Sequence, residues 1–271
     1  MIRQIRCFGP RTEGSETSIG MWVRPDTTDE GICRDIIERD PYGLFKASKR
    51  IKYGLLARLH PAVFDIGANI GAFSRLAFNV WPDCWVKAYE PHPLNYGLMK
   101  LNLRGKKYDS AMAAVYGEKL PQSVLVERKE DERNQFGGWG VSQVKHDYWP
   151  DFDNEVGVPC DLESVSDLNS DILSGGLWRP IVLKLDCEGA EFSILQSLPE
   201  STLNKIALIV GEFHCHALTM DYMERFKWEK IRSKVLQYFD CEEIESRPDH
   251  NGEAFTFTAL SRELTTYEAG A

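Results

Sequence analysis

The stretch Val63-Phe64-Asp65-Ile66-Gly67-Ala68-Asn69-Ile70-Gly71-Ala72-Phe73-Ser74 decides the fold. The apolar run from Ala62 to Phe64 predicts a buried strand, with Asp65 where that strand ends. Two glycines follow, and Phe73, Leu76, Ala77 and Val80 then recur at helical spacing. A strand, a glycine turn and a helix N-terminus make a cradle for a nucleotide cofactor. The glycines let a ligand approach the backbone, and the N–H groups at the helix start face it.

Outward from this cradle, strand and helix alternate. Trp85–Tyr89 predicts a second strand ending at Glu90-Pro91, Leu94–Leu103 a helix, and Tyr108–Val115 a third strand. After an irregular middle, Ile181–Leu185 predicts a fully buried strand ending in Asp186. A helix follows, opening at Gly189-Ala190-Glu191 and running to about Leu198. Ile206–Val210 is the next strand, leading to Glu212-Phe213-His214, and a long helix covers about Met220 to Phe239. This order predicts an α/β fold, a mostly parallel sheet with right-handed crossovers and helices on both faces. Cys241–Ile244 and Ala254–Leu260, joined through Asp249-His250-Asn251-Gly252, predict a terminal hairpin that adds an antiparallel edge strand.

Upstream, two short strands (1–8 and 19–24) precede a helix opened by Thr27-Thr28-Asp29-Glu30 and ended by Pro41-Tyr42-Gly43, and a second helix over Lys46–Leu59. These residues are too poor in apolar side chains for a core of their own. Residues 1–60 therefore predict a cap packed on a main domain over 61–271, with an irregular insert around 117–161. Within the insert, Ser123–Glu127 and Val141–Val144 predict a hairpin and Val156–Cys160 a further strand, ahead of a helix over Leu162–Leu173. Its loop Phe136-Gly137-Gly138-Trp139-Gly140 reads either as a substrate lid or as a surface excursion.

Of 271 residues, 43% are hydrophobic and 27% charged, the make-up of a globular chain with a full core. Lys and Arg number 32 against 41 Asp and Glu, a net charge of -9, which disfavours a nucleic-acid backbone as partner. The basic runs Lys46–Lys52 and Arg104-Gly105-Lys106-Lys107 read as solvated helix faces or ends. The 7 cysteines are odd in number and show no Cys-x-x-Cys pair, so free thiols in a reducing compartment are expected. No run approaches the roughly 20 apolar residues of a membrane span, and the N-terminus has no signal-peptide core. The expectation is a cytoplasmic protein.

In open parallel sheets ligands bind beyond the carboxyl ends of the strands. Those ends carry Asp65, Glu90, Asp186 with Glu188, and Glu212 with His214. Glu90 sits where a Rossmann-like fold places the acid that accepts from ribose hydroxyls. The glycine pattern, Asp65-x-Gly67-x-x-x-Gly71, has Asn69 in place of a second fingerprint glycine. A carboxylate entering that loop repels a pyrophosphate but suits a cationic ligand. The charge argument thus favours S-adenosylmethionine over NAD.

Asp65-Ile66-Gly67-Ala68-Asn69-Ile70-Gly71-Ala72-Phe73-Ser74, then Tyr89-Glu90-Pro91-His92-Pro93, and Lys184-Leu185-Asp186-Cys187-Glu188-Gly189-Ala190-Glu191 resemble the FkbM family of S-adenosylmethionine-dependent methyltransferases. Ile206–Val210 leading to Glu212-Phe213-His214, and Trp22-Val23-Arg24-Pro25 with Thr27-Thr28-Asp29, are similar to the family pattern too. The resemblance covers most of Trp22 to Leu260 and departs over Gly117–Asp161. It implies a Rossmann-like class I methyltransferase fold with a seven-stranded sheet. It also implies O-methylation of a hydroxyl on a small molecule, sugar or glycan, with S-adenosyl-L-homocysteine as product. By position, Asp65, Gly67, Asn69 and Gly71 would hold the methionine part, Glu90 the ribose, and Ala114, with Ala113 and Val115, the adenine end. Asp186 would face the sulfonium and the acceptor.

Methyl transfer to an alcohol needs a base, and His214 and Asp186 are the candidates. Glu191, and to a lesser degree Glu188, also reads as a helix-start carboxylate. Asp186, Glu188, Glu212 and His214 could also offer ligands to Mg²⁺. Two further readings stand beside the first: methylation of nitrogen or of a macromolecule, and a non-catalytic domain that binds S-adenosylmethionine.

Overall fold

The computed structural model describes residues 2–9, 17–52, 60–117, 123–128, 141–143, 155–159, 161–175, 179–187, 190–214, 231, 233–246 and 254–262. The Phe136–Gly140 loop, Glu188, Gly189, the Asp249–Gly252 turn and most of the expected 220–239 helix lie outside them.

Strands β1 (Arg3–Phe8) and β2 (Ser18–Val23) form an antiparallel pair. Helix α1 (Asp29–Arg34) follows, with Thr28 at its N-cap but without a side-chain cap bond. The hydroxyl used is that of Thr27, which accepts from the Asp29 N–H at 3.3 Å. A π-helical turn over Asp35–Arg39 ends where Asp40 turns left-handed, at φ 51. The Asp40 carboxylate then accepts from the Leu44 and Phe45 N–H groups at 2.9 and 2.6 Å, which starts α2 (Leu44–Lys52) two residues earlier than the sequence pattern suggests.

The central alternation runs β3 (Ala62–Ile66), α3 (Ala72–Val80), β4 (Trp85–Tyr89), α4 (Pro93–Asn102) and β5 (Tyr108–Ala111). The expected third strand is broken at Met112, which is exposed. Beyond it, β6 (Ala113–Tyr116) leaves the main sheet. The insert forms a three-stranded sheet in which β7 (Ser123–Arg128) pairs antiparallel with β8 (Val141–Gln143) and β9 (Glu155–Pro159). β10 (Asp161–Ser164) then pairs parallel with β6. That pairing holds 161–164 extended, so α5 (Val165–Gly175) begins three residues later than its apolar pattern predicts. Ser164 and Asp167 fix the boundary by exchanging side-chain-to-backbone bonds at 3.0 and 3.4 Å.

The chain returns through β11 (Ile181–Leu185), α6 (Glu191–Ser197), the short α7 (Glu200–Leu203) and β12 (Ile206–His214). It closes with β13 (Phe239–Ser246) and β14 (Ala254–Ser261). The seven-stranded sheet has the order β13-β14-β12-β11-β3-β4-β5. Ladders from β12 to β5 are parallel, and β14 is antiparallel to both its neighbours. The antiparallel strand is thus one position in from the edge rather than at it, because β13 occupies the edge. With this one adjustment the sheet is the Rossmann-like class I methyltransferase arrangement expected.

Alternation along the strands divides the core. Val63, Val182, Leu208 and Val210 point to one face, where they meet α3, α4 and the N-terminal Ile5, Met21, Val23, Ile37 and Leu44. Phe64, Ile66, Leu183, Leu185 and Ile209 point to the other, against α5 and α6. The N-terminal strands are further tied down by a buried amide. Asn102 accepts from the Trp22 N–H at 2.6 Å and donates to Trp22 O and Ile70 O at 3.0 and 2.8 Å, acting as a one-residue strand partner. Asn102→Ala leaves these three backbone groups without that partner. It is expected to lower the unfolding free energy by about 2–4 kcal/mol in urea titration. A loss under about 0.5 kcal/mol would show that water replaces the amide.

Candidate functional site

The site lies at the carboxyl ends of β3, β4, β11 and β12. In the loop after β3, Gly67 has φ 74 and Gly71 φ 86, and Gly71 is the N-cap of α3. A Cβ at Gly67 would lie 1.9 Å from Asp186 O, so the loop passes against the end of β11 at a distance only glycine allows. Asn69 is also left-handed, at φ 51, a conformation asparagine tolerates.

Four of the loop's own N–H groups are used within the protein. Gly67 and Ala68 donate to Tyr89 O at 3.0 and 2.9 Å, and Gly71 donates to Ala68 O at 2.8 Å. Asn69 donates to Glu90 Oε2 at 2.8 Å. These four donors are committed, whereas the N–H groups of Ile70 and of the first turn of α3, from Ala72 to Ser74, have no acceptor among the described residues. The Asn69 Oδ1 is a buried acceptor without a hydrogen-bond partner in the protein.

Glu90 is almost fully buried. Besides Asn69, its carboxylate accepts from the His92 N–H at 2.9 Å. Burial raises its pKa, while the backbone bonds and Lys184 pull it down, leaving it at about 7. Asn95 bonds to Glu90 and accepts from Arg24 Nη2 at 2.7 Å, and Arg24 is clamped by Asp29 at 2.7 and 2.8 Å. A chain of polar contacts thus runs from the N-terminal segment through α4 to the glycine loop.

Asp65 and Asp186 meet through Lys184, a residue whose role the sequence reading missed. Lys184 is 2% exposed, with Nζ 3.3 Å from Asp65 Oδ1 and 3.9 Å from Asp186 Oδ2. It also donates to Ile66 O and Gly67 O at 3.0 and 2.5 Å. Burial alone would lower its pKa, but Asp65 and Asp186 more than offset this, and the net direction is upward. Asp65 is fully buried, its other oxygen accepting from Ser74 Oγ at 2.6 Å. Its charge therefore acts from beneath the loop. The signal for Lys184 was present, since one lysine stands in the otherwise apolar strand Ile181–Leu185. Tyr42, whose hydroxyl bonds to Asp186, gave no such signal.

Ala114 lies buried in β6, paired with Leu162 and off the main sheet. Glu191, the first residue of α6, is buried and accepts from the Cys187 N–H at 2.7 Å. His214 is the last residue of β12, opposite Ala254, and its side chain lies outside the described set, as does Glu188. Among the described residues no three His, Cys, Asp or Glu side chains are grouped to hold a metal ion. Cys7, Cys33, Cys84 and Cys187 are free thiols, and burial pushes Cys7 up to about 11 and Cys84 to about 12. No described helix is long and apolar enough to cross a membrane.

Lys184→Met would strand Asp65 as a buried charge. It is expected to cost about 3–5 kcal/mol in urea unfolding, with some of the loss recovered in the Asp65→Asn/Lys184→Met double variant. No recovery in the double variant would mean that the loss arises from the carbonyl contacts instead.

A family profile described as Methyltransferase FkbM domain matches residues 65–238. The chain is 28% identical over 174 residues to Methyltransferase sdnD of Sordaria araneosa, covering 56% of this chain and 66% of that protein. It is 26% identical over 185 residues to the 31-O-demethyl-FK506 methyltransferase FkbM of Streptomyces tacrolimicus, covering 60% and 69%. The chain thus spans about two-thirds of the length of these relatives. Among solved structures, a putative rRNA methylase from Clostridium thermocellum aligns with TM-score 0.45 and 7% identity, over 81% of this chain and 95% of that one. The profile spans more than half of the sequence, including the Asp65 loop, Glu90 and Asp186, and the chain belongs to the FkbM methyltransferase family.

Proposed function

We propose that the chain is an S-adenosylmethionine-dependent methyltransferase acting on a hydroxyl of a small molecule, sugar or glycan. The observation that carries the donor assignment is the character of the loop. Four of its N–H groups are taken, while a buried acceptor, Asn69 Oδ1, and acidic side chains remain around it. Lys184 offsets only one of the two carboxylates beside it, so the trio keeps a negative charge suited to a cationic ligand. These residues fit S-adenosylmethionine better than a dinucleotide.

When bound, that group supplies an electrophilic methyl on a sulfonium. The protein's task is to bind, align and manage one proton. In this reading Gly67, Asn69 and Gly71 hold the methionine end, with Asp65 fixing the loop from below. Glu90 keeps a lone pair for a ribose hydroxyl after accepting from Asn69, His92 and Asn95. Ala114 lies toward the adenine end. Asp186 meets the cationic centre, and either it or His214 receives the acceptor's hydroxyl proton, at a carboxylate oxygen or a ring nitrogen. In-line placement of donor and acceptor provides the rest of the acceleration. The choice of oxygen rests on the family and on the name of the Streptomyces relative, an O-demethyl-compound methyltransferase.

Glu90 supplies a test through pH. Ribose hydroxyls donate to an ionised carboxylate, so bound ligand favours the deprotonated form and its binding releases a proton. Because Glu90 titrates at about 7, S-adenosylhomocysteine affinity should rise between about pH 6 and 8 and then level off. In Glu90→Gln the affinity should be lower and this slope absent. Calorimetry checks both, and an unchanged slope removes Glu90 from the ribose site. His214→Ala should bind the donor as the parent does but turn over about 10²–10⁴-fold more slowly. Full activity would leave Asp186 as the base.

A further inference from the structure

Tyr42 comes from the turn between the π-helical segment and α2, yet it ends at the centre of the site. It is 2% exposed, and its hydroxyl donates to Asp186 Oδ2 at 2.5 Å across 144 positions of sequence. Two further contacts hold it, and a third bond closes the turn it sits in. The ring stands edge-on to Phe73 of α3 with centroids 5.6 Å apart, and the carbonyl accepts from Thr258 Oγ1 of β14 at 2.8 Å. The Gly43 N–H to Asp40 O bond, at 2.9 Å, closes the turn. A phenylalanine would fill the same space and make the same ring contact. The hydroxyl is therefore accounted for only by Asp186.

The dependence also runs the other way. The Asp186 side chain is 21% exposed and could turn toward water, whereas Tyr42 cannot move without breaking its other attachments. Burial, and then the neighbouring Asp186, push the Tyr42 phenol well above its ordinary value, so it remains a proton donor. Oδ2 carries both the tyrosine bond and the closer approach to Lys184. The other oxygen is the one left for a ligand.

We propose that Tyr42 is a positioning residue of the donor site, fixing the Asp186 carboxylate through Oδ2 so that Oδ1 meets the cationic methionine end of the donor. This role rests on the donor reading given above. It places a residue of the N-terminal segment in the binding apparatus.

The test is a double-mutant cycle on the full chain, read by calorimetric titration with S-adenosylmethionine and S-adenosylhomocysteine. Tyr42→Phe is expected to keep a near-parental melting temperature and to bind both compounds about tenfold more weakly. In an Asp186→Asn background the same change should produce little further loss, because the group that Tyr42 orients no longer carries charge. Thr258→Val, which removes the tether on the Tyr42 carbonyl, should weaken binding with the same dependence on Asp186. It carries the test if Tyr42→Phe does not fold. Parental affinity in Tyr42→Phe, or an equal loss with and without Asp186, overturns the positioning role while leaving the donor reading intact. Failure of the parent chain to bind either compound overturns both.

Discussion

The buried ammonium of Lys184 is the constraint on which the site depends. It lies inside the sheet, touches the carboxylate ending β3 and the one following β11, and holds the carbonyls of Ile66 and Gly67. Placing a cation there is costly unless partners surround it, and the partners it draws in are the first residues of the glycine loop. Two parallel strands with no covalent connection nearby are thereby joined at their carboxyl ends. The close passage of Gly67 over Asp186 follows from the same joint, since a side chain at Gly67 would occupy the space of the Asp186 carbonyl.

Glu90 makes a second joint at the end of the neighbouring strand, taking N–H groups from the loop and from the start of α4. The result is a preorganised loop whose polar groups are mostly committed before any ligand arrives. What remains includes an unpartnered acceptor, Asn69 Oδ1, and the negative charge around Lys184. In the proposed reading this explains why a cationic sulfonium donor suits a loop that otherwise looks like a dinucleotide cradle.

Most of the sheet was legible in the sequence because its strands are apolar runs ended by acids. Ile181–Leu185 and Trp85–Tyr89 lie where their composition puts them. The departures have physical causes. Alanine does not discriminate strand from bend, so the break at Met112 and the departure of β6 to join β10 were hidden. The delayed start of α5 follows from that pairing and from the Ser164–Asp167 exchange. In the site, the loop, Glu90 and Asp186 were legible from their positions at strand ends. Lys184 was visible as an odd residue but its partners were not. Tyr42 was hidden altogether, because it stands 144 positions before the carboxylate it touches and local pattern carries no information over that range.

The bond from Thr258 to the Tyr42 carbonyl spans 216 positions, and with it the N-terminal segment is fastened to the C-terminal strand. The order of biosynthesis then matters. The glycine loop, Glu90 and Asp186 can all be translated, and their strands paired, before β14 leaves the ribosome, but the seat of Tyr42 does not exist until it does. Until β14 is made, the Tyr42 carbonyl lacks the partner that Thr258 supplies. Pairing of β14 with β12 brings Thr258 to the Tyr42 carbonyl, so the fixing of Tyr42 is coupled to assembly of the sheet.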